Sequence, residues 1–429
     1  MNKYLVYVVN RSSNDISVID TETNTVVDTI AVGSNPYGMT ITPDQSKMYV
    51  PNRLSNNISV IDLVTNHIIK TISMIHWPYP ISITPDGKKG YAPNYAFGGP
   101  LSVIDIETDT IVKNIPIGYN SYPPKITSNG TKAYVVNGAS DDVTVVDTVN
   151  DTVIATIPMG NFPQQSTILP DDSKVYVGTI HTKDVRVIDV NTDTVIKIIP
   201  LIGSPNTLTP TQDSNKIYVP NYTLNKVSVI YPSTDSVVRI ITVGHNPYSV
   251  DITPDGTKGY IANRGDGTIS VIDIDTDLVV NTINVGSGPL RTEVTPDGTR
   301  GYVTNYNSNS VSVIDLTNDT VVATIPVGTG PTAIEVIGVL SPQDRVRDII
   351  EKINKYVIDD KLEEQKANGI MTKLYGVIMK IDKENINPAI NQLIAFINQV
   401  NGFVNAGKIS LTDGNELTND ANEAINNLD

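Results

Sequence analysis

Short runs in which β-branched and aromatic residues alternate with polar ones, each cut off by Gly, Pro, Asn or Asp, fill the chain from its first residues to about residue 338. The stretch from Lys258 to Asn305 shows the unit. Gly259 to Asn263 and Thr268 to Asp273 are two such runs with Gly265 and Gly267 between them. Leu278 to Val285 follows the polar Asp275-Thr276-Asp277, and Leu290 to Val294 runs into Thr295-Pro296-Asp297-Gly298. Alternation of this kind predicts strands. Proline presets φ at the second place of a tight turn and glycine accepts a positive φ at its end, so Thr-Pro-Asp-Gly stops a strand for a local reason.

The unit recurs. Its Tyr-Val-x-Asn tyrosine is found at Tyr7, Tyr49, Tyr91, Tyr134, Tyr176, Tyr218, Tyr260 and Tyr302, at separations of 42, 42, 43, 42, 42, 42 and 42 residues. Eight four-strand copies with no helical period predict an all-β eight-bladed β-propeller rather than a helical solenoid. Residue 1 already lies close to the second strand of its unit, so the first blade lacks an innermost strand. Thr332 to Val336, beyond the eighth tyrosine, is predicted to supply it by pairing with Tyr4 to Asn10, which removes both open sheet edges.

At Gly338 the period changes. Ser341 is a good N-cap and Pro342 suits the first helical position, with Val346, Ile349, Ile350, Ile353 and Val357 at helical spacing behind them. A second helix is expected from about Leu362 to Ile381. Asn387-Pro388 should start a third, with Ile390, Leu393, Ile394, Ile397, Val400 and Val404 inward and Gly407 as its stop. A fourth is expected from about Asp413, carrying Leu417, Ala421, Ile425 and Leu428. The expected domains are therefore a propeller over 1–338 and a small α-helical bundle over 341–429.

Two resemblances follow from these residues. Tyr302-Val303-Thr304-Asn305, Ser312-Val313-Ile314-Asp315, Thr320-Val321-Val322 and Val327-Gly328 resemble the YVTN family of β-propeller repeats. That resemblance implies the fold and, because the family includes surface-layer and other cell-envelope proteins, a bacterial envelope setting. The tail, through Ala389 to Ile397 and Gly407-Lys408-Ile409, resembles the FIMAH domain at the ends of secreted Gram-positive proteins. It implies an extracellular or cell-surface location. Met1 to Tyr7 enters the first strand without the apolar core of a signal peptide, so a cytoplasmic location stays open.

Composition narrows the chemistry. The net charge is −15 with no basic run, which argues against a nucleic-acid partner. No cysteine is present, so disulfides, thiol catalysis and thiolate metal sites are excluded. No apolar stretch is long enough for a membrane span. Asp273-Ile274-Asp275-Thr276-Asp277 opens like a calcium loop, but Leu278 and Asn284 stand where its glycine and glutamate belong, so it reads as a turn. His76 and His245 fall four blades apart, and His67 and His181 in other places, too dispersed for one ion.

Candidate contact residues gather on one end of the ring. Strand order puts the connections between blades (D to A) and the B to C hairpins on the same end, and these vary from copy to copy while the opposite end repeats Thr-Pro-Asp-Gly and Asp-Thr-x-Thr turns. On the variable end, Trp77, Tyr79, Tyr95, Phe97, Tyr119, Tyr122 and Phe162 could form an aromatic patch for a protein or glycan partner. Rim packing is the other reading, since Tyr37 and Tyr248 share the repeat position of Tyr79. On the inner strands Thr40, Ser82, Lys125 and Thr167 give way to Asp251, Glu293 and Glu335, an acidic sector that could hold a divalent cation. The leading expectation is a non-catalytic binding or scaffold protein without a cofactor, and the alternative is a metal-dependent hydrolase or lyase at the channel mouth. The shift of Ile199 to Gln212 and the replacements at Thr179 and Tyr231-Pro232 read as drift.

Overall fold

The computed structural model describes residues 4–95, 98–338, 342–359, 361–426 and 428. Two compact units result, a ring of strands over Tyr4–Ile337 and a helical unit from Gly338 onward. Thirty-two strands form eight four-stranded antiparallel sheets. Blade 1 orders its strands Thr25–Ala31, Asp15–Asp20, Tyr4–Asn10 and Pro331–Gly338, so the ring is closed by strands from both ends of the repeat region as the sequence predicts.

Within each blade the two middle strands are almost wholly buried. The outer strand buries one side chain, such as Ile72 in His67–Ser73 or Ile283 in Leu278–Asn284, and leaves its other aliphatic residues open to solvent. The same bulge, between Val60 and Ile61 in blade 2 and between Val271 and Ile272 in blade 7, offsets the outer pair and adds twist. The core is not central. It lies between neighbouring sheets, as where Tyr49, Ile58, Val60 and Ile72 of blade 2 meet Ile81, Ala92, Ile104 and Ile106 of blade 3.

The repeated tyrosine is the most deeply buried large side chain of every blade. In six of the blades its hydroxyl reaches the next blade, where it donates to an aspartate in the C to D turn. Tyr91 reaches Asp151 at 2.6 Å, Tyr134 reaches Asp193 at 2.6 Å, Tyr218 reaches Asp277 at 2.6 Å and Tyr260 reaches Asp319 at 2.6 Å. In the same six blades the lysine two residues before the tyrosine joins the same carboxylate, as Lys89 does to Asp151 at 2.9 Å and Lys132 to Asp193 at 2.8 Å. The aspartates occupy left-handed backbone, φ 54 for Asp151 and 52 for Asp193, which Asp and Asn tolerate better than most residues. One residue thus turns the chain and clasps the neighbouring blade.

Six of the eight blade interfaces carry this charged clasp. The two that flank blade 1 do not. Tyr7 donates to the neutral Asn66 at 2.8 Å and Leu5 replaces the lysine. At the seam, Tyr302 Oη and Asn24 Oδ1 are buried without a hydrogen-bond partner among the described residues, and Arg300 turns to Asp315 of its own blade.

A second repeated interaction explains the Asn and the Val-Gly of the motif. The buried asparagine donates to a strand C hydroxyl, Asn52 to Ser59 at 2.9 Å and Asn263 to Ser270 at 2.9 Å. The glycine before it packs against that amide so closely that a Cβ on Gly118 would lie 2.6 Å from Asn137. Where blade 5 replaces asparagine by Thr179, the substitution is matched: the Thr179 hydroxyl donates to Asp184, and Arg186, in the serine's place, lies 3.6 Å from the same carboxylate.

The helical unit holds α1 (Pro342–Ile358), α2 (Glu364–Ile381), α3 (Ile386–Asn405) and α4 (Leu411–Asn426) around one apolar core. Ser341, the expected first cap, lies outside the described residues, as do Val339 and Leu340. The α3 face is rotated from the expected one. Ala389, Leu393, Phe396 and Val400 are buried, while Ile394 is exposed, because centring the stripe on Phe396 buries the largest ring. Helix α4 starts at Leu411, before the expected Asp413, because Ser410 caps it by accepting from the Asp413 backbone at 3.0 Å. Lys352 bridges Glu416 at 2.9 Å and Asp420 at 2.8 Å, tying α1 to α4.

Removing one phenol should separate made from unmade clasps. Tyr91→Phe is expected to lower the unfolding free energy by about 1–3 kcal/mol, since it takes the tyrosine donor from Asp151 Oδ1 and leaves the carboxylate to Lys89, whereas Tyr302→Phe should cost nothing measurable or stabilise slightly. Urea denaturation of both variants checks this, and equal losses would contradict it.

Candidate functional site: the loop-bearing mouth of the ring

Two repeat positions build the mouth. The residue after the buried asparagine opens the B to C hairpin and reads Arg11, Arg53, Tyr95, Gly138, Ile180, Tyr222, Arg264 and Tyr306 around the ring. The first free residue of the inner strand reads Tyr37, Tyr79, Tyr122, Gln164, Asn206, Tyr248, Leu290 and Thr332. The backbone locks the two layers together, with Tyr37 N–H donating to Pro51 and Arg53 N–H to Asn35.

Their side chains interleave. Tyr79 meets Tyr37 edge to face at 5.1 Å and packs at a tilt against Tyr95 at 4.7 Å and Tyr122 at 5.6 Å between ring centroids. The Arg53 guanidinium lies over three of these rings, 4.8 Å from the Tyr79 centroid. Arg11 also lies over Tyr37, 5.5 Å from its centroid. Across the mouth, Arg264 lies 6.0 Å from both Tyr248 and Tyr306. A cavity of about 240 Å³ opens here, lined by Arg11, Tyr37, Tyr248, Arg264, Arg291 and Tyr306 among others.

The expected aromatic patch divides in two. Tyr79 and Tyr122 are buried and Tyr95 half-buried, so these three pack the rim. Trp77 and Tyr119 stand outside this cluster, 47% and 46% exposed. Phe162 is half-buried, 5.4 Å from the His181 ring, and Phe97 lies outside the described residues. Trp77 and Phe162 share a further property. Both occupy left-handed backbone, φ 25 and φ 59, at a position where other blades carry Asn35, Asn120, Asn246, Gly288 or Gly330. A bulky side chain there costs roughly 1–2 kcal/mol relative to glycine, so the backbone at both positions works against the aromatic residue it carries.

Deeper in the channel, Thr40, Ser82 and Thr209 donate their hydroxyls to the backbone of the next blade, at 2.8, 2.6 and 3.0 Å. Asp251, Glu293 and Glu335 follow on consecutive blades, each partly open to the channel yet surrounded by protein. Burial pushes all three carboxyls up, Glu293 to about 9 and Asp251 and Glu335 to about 7. Their mutual repulsion adds to this for Asp251 and Glu293, and Arg291 opposes it for all three. Among the described residues Asp251 Oδ2 has no hydrogen-bond partner. Among the described residues no three His, Asp or Glu side chains converge as a metal centre would require, so the acidic sector is a set of neighbours on one wall rather than a coordination shell. The turn Asp273 to Asp277 is closed by Thr276 donating to Asp273, and Asp277 is consumed by its clasp.

The arginines were missed by the sequence reading. The signal was present in the residue that follows each Tyr-Val-x-Asn asparagine, visible only when the copies are read down a column rather than along the chain.

The chain belongs to the YNCE-like beta-propeller family, whose sequence profile matches residues 2–292. No curated protein matches it. Among solved structures it is similar to the dihydro-heme d1 dehydrogenase NirN in complex with DHE, at 16% identity and a TM-score of 0.68 over 77% of this chain and 74% of that one. It is also similar to apo AztD from Citrobacter koseri, at 14% identity and a TM-score of 0.63 over 79% and 98% of the two chains. Kuenenia stuttgartiensis hydrazine synthase gives 22% identity and a TM-score of 0.54 over 65% and 95%. At such identities the likeness is one of fold.

The raised carboxyls set a sign for stability. A group that holds its proton more tightly folded than unfolded stabilises fully below its unfolded pKa, and that contribution is lost as pH rises toward the folded value. For Glu293 the loss runs from about pH 4 to about 9. Denaturant midpoints should therefore fall between pH 5 and 9. Glu293→Gln should shrink the loss of unfolding free energy between pH 5 and 9 by more than the roughly 1.4 kcal/mol that one pH unit of displacement carries. An unchanged slope in the variant would contradict this.

Proposed function

We propose that this protein is a non-catalytic binding platform of the bacterial cell surface or envelope, presenting the loop-bearing mouth of its propeller to a glycan or protein partner. The observation that carries the reading is the pair Trp77 and Phe162, aromatic residues in a backbone slot that other copies give to asparagine or glycine. Strain of this kind persists where something other than stability selects the side chain. The exposed Trp77 and Tyr119 add apolar ring surface to the same face. Propeller rims of this architecture commonly serve as interaction surfaces, and among the described residues no helix is long and apolar enough to cross a membrane. The surface location rests on the resemblance of α1 to α4 to the FIMAH domain and of the repeats to envelope proteins.

The test is a substitution that relieves strain while removing the ring. Trp77→Asn should leave the melting temperature unchanged or raise stability by up to about 1–2 kcal/mol, and should lower binding to Gram-positive cell-wall preparations and to an envelope glycan array at least tenfold. Retained binding in Trp77→Asn combined with Tyr119→Ala would refute the reading, as would loss of stability in Trp77→Asn.

A further inference from the structure

The cavity between Arg11, Arg264 and Arg291 is the place where the charge of this molecule runs against its average. The chain carries −15, yet four of the ring's seven arginines, Arg11, Arg53, Arg264 and Arg291, meet at one mouth. Among the described residues none of the four forms an ion pair. The contrast with the opposite end is sharp: Lys47, Lys89, Lys132, Lys174, Lys216 and Lys258 are each neutralised by a clasp aspartate. Grooves of about 590 and 510 Å³ on that turn-bearing end are larger than the mouth cavity, but Lys89 and Lys216, which line them, are already paired.

From this we infer that the mouth cavity binds a carboxylate-bearing sugar, a uronate unit of an acidic glycan. The inference rests on the reading of the mouth as a binding face and names its ligand. Guanidinium groups take carboxylates through paired N–H donors, and Arg11 and Arg264 are held over Tyr37, Tyr248 and Tyr306 rather than over a carboxylate of the protein. The tyrosines supply what the rest of a sugar needs, an apolar ring face beside a phenolic hydroxyl. At about 240 Å³ the cavity is smaller than the roughly 300–1,000 Å³ of sites for drug-sized ligands, a size for a single ring. An aspartate or glutamate side chain of a protein partner would satisfy the arginines and leave the tyrosine walls uncovered. A phosphate group would likewise satisfy the arginines but offers no sugar ring face to Tyr37, Tyr248 and Tyr306.

Calorimetric titration of the full chain with glucuronate and galacturonate, with glucose and galactose, with inorganic phosphate, with a hexaglutamate peptide and with a single-stranded oligonucleotide distinguishes these. Uronates are expected to bind at least tenfold more tightly than the neutral sugars and than phosphate. Arg264→Gln and Tyr248→Ala, each checked for an unchanged melting temperature, should each lose at least tenfold. Equal binding of neutral sugars, tighter binding of phosphate, peptide or oligonucleotide, or uronate binding untouched by both substitutions would overturn the inference. Should either variant melt early, Arg11→Gln takes its place, with the same loss expected. If uronates fail while cell-wall binding remains sensitive to Trp77→Asn, the ligand assignment falls and the binding-platform reading stands.

Discussion

The hydrogen bond from a buried tyrosine to an aspartate of the next blade is the constraint on which the rest of the ring depends. It joins three requirements in one place. The phenol must be buried to fill the space between sheets, its hydroxyl must then find an acceptor, and the acceptor must sit at a turn that needs left-handed backbone, which Asp and Asn supply. The lysine two residues earlier compensates the carboxylate, so the clasp adds a partly buried charge pair without an unpaired ion. A side chain chosen to satisfy one of these requirements satisfies the others, which is why the motif is repeated with so little change.

That economy on the turn-bearing end leaves the loop-bearing end free. Glycine against asparagine and hydroxyl against amide hold the inner ends of the blades together, and the side chains just beyond them vary from blade to blade, some packing the rim as Tyr79 and Tyr122 do. Arg11, Arg53, Arg264 and the tyrosines between them occupy those positions, as do Trp77 and Phe162 in their strained slots. A rigid wheel with one indifferent rim tolerates a costly side chain at that rim. The acidic sector below shows the same tolerance: three carboxyls kept partly protonated by burial are a liability for folding and a feature of the channel.

Most of the fold was legible because period two, turn chemistry and a constant spacing all agree. The closing strand at Thr332 to Val336 could be placed before any coordinates, since a blade short by one strand has only one source for it. The helical stripes were legible in outline, but α3 was turned by one position because Ile394 and Phe396 compete for the inside and only packing decides between them. The aromatic patch was read from residue type, and residue type does not distinguish Tyr79, which packs the rim, from Tyr119, which is 46% exposed. The mouth arginines escaped because single charges scattered at intervals near 42 residues look like ordinary surface until the ring brings them together. Thr179 looked like drift for a similar reason, since its partners Asp184 and Arg186 become a compensating set only once the strands pair.

The weakest points of the wheel are expected on both sides of blade 1, where Tyr7 meets a neutral asparagine and Tyr302 meets no partner among the described residues. Native-state hydrogen exchange measured strand by strand tests that directly. Amides of Asp15–Asp20 and Thr25–Ala31 should exchange through openings of lower free energy than those of Asp142–Asp147 and Thr152–Pro158 in blade 4, whose clasps are complete on both sides. Equal protection around the ring, or stronger protection in blade 1, would contradict the claim that the tyrosine clasp is what holds the blades together.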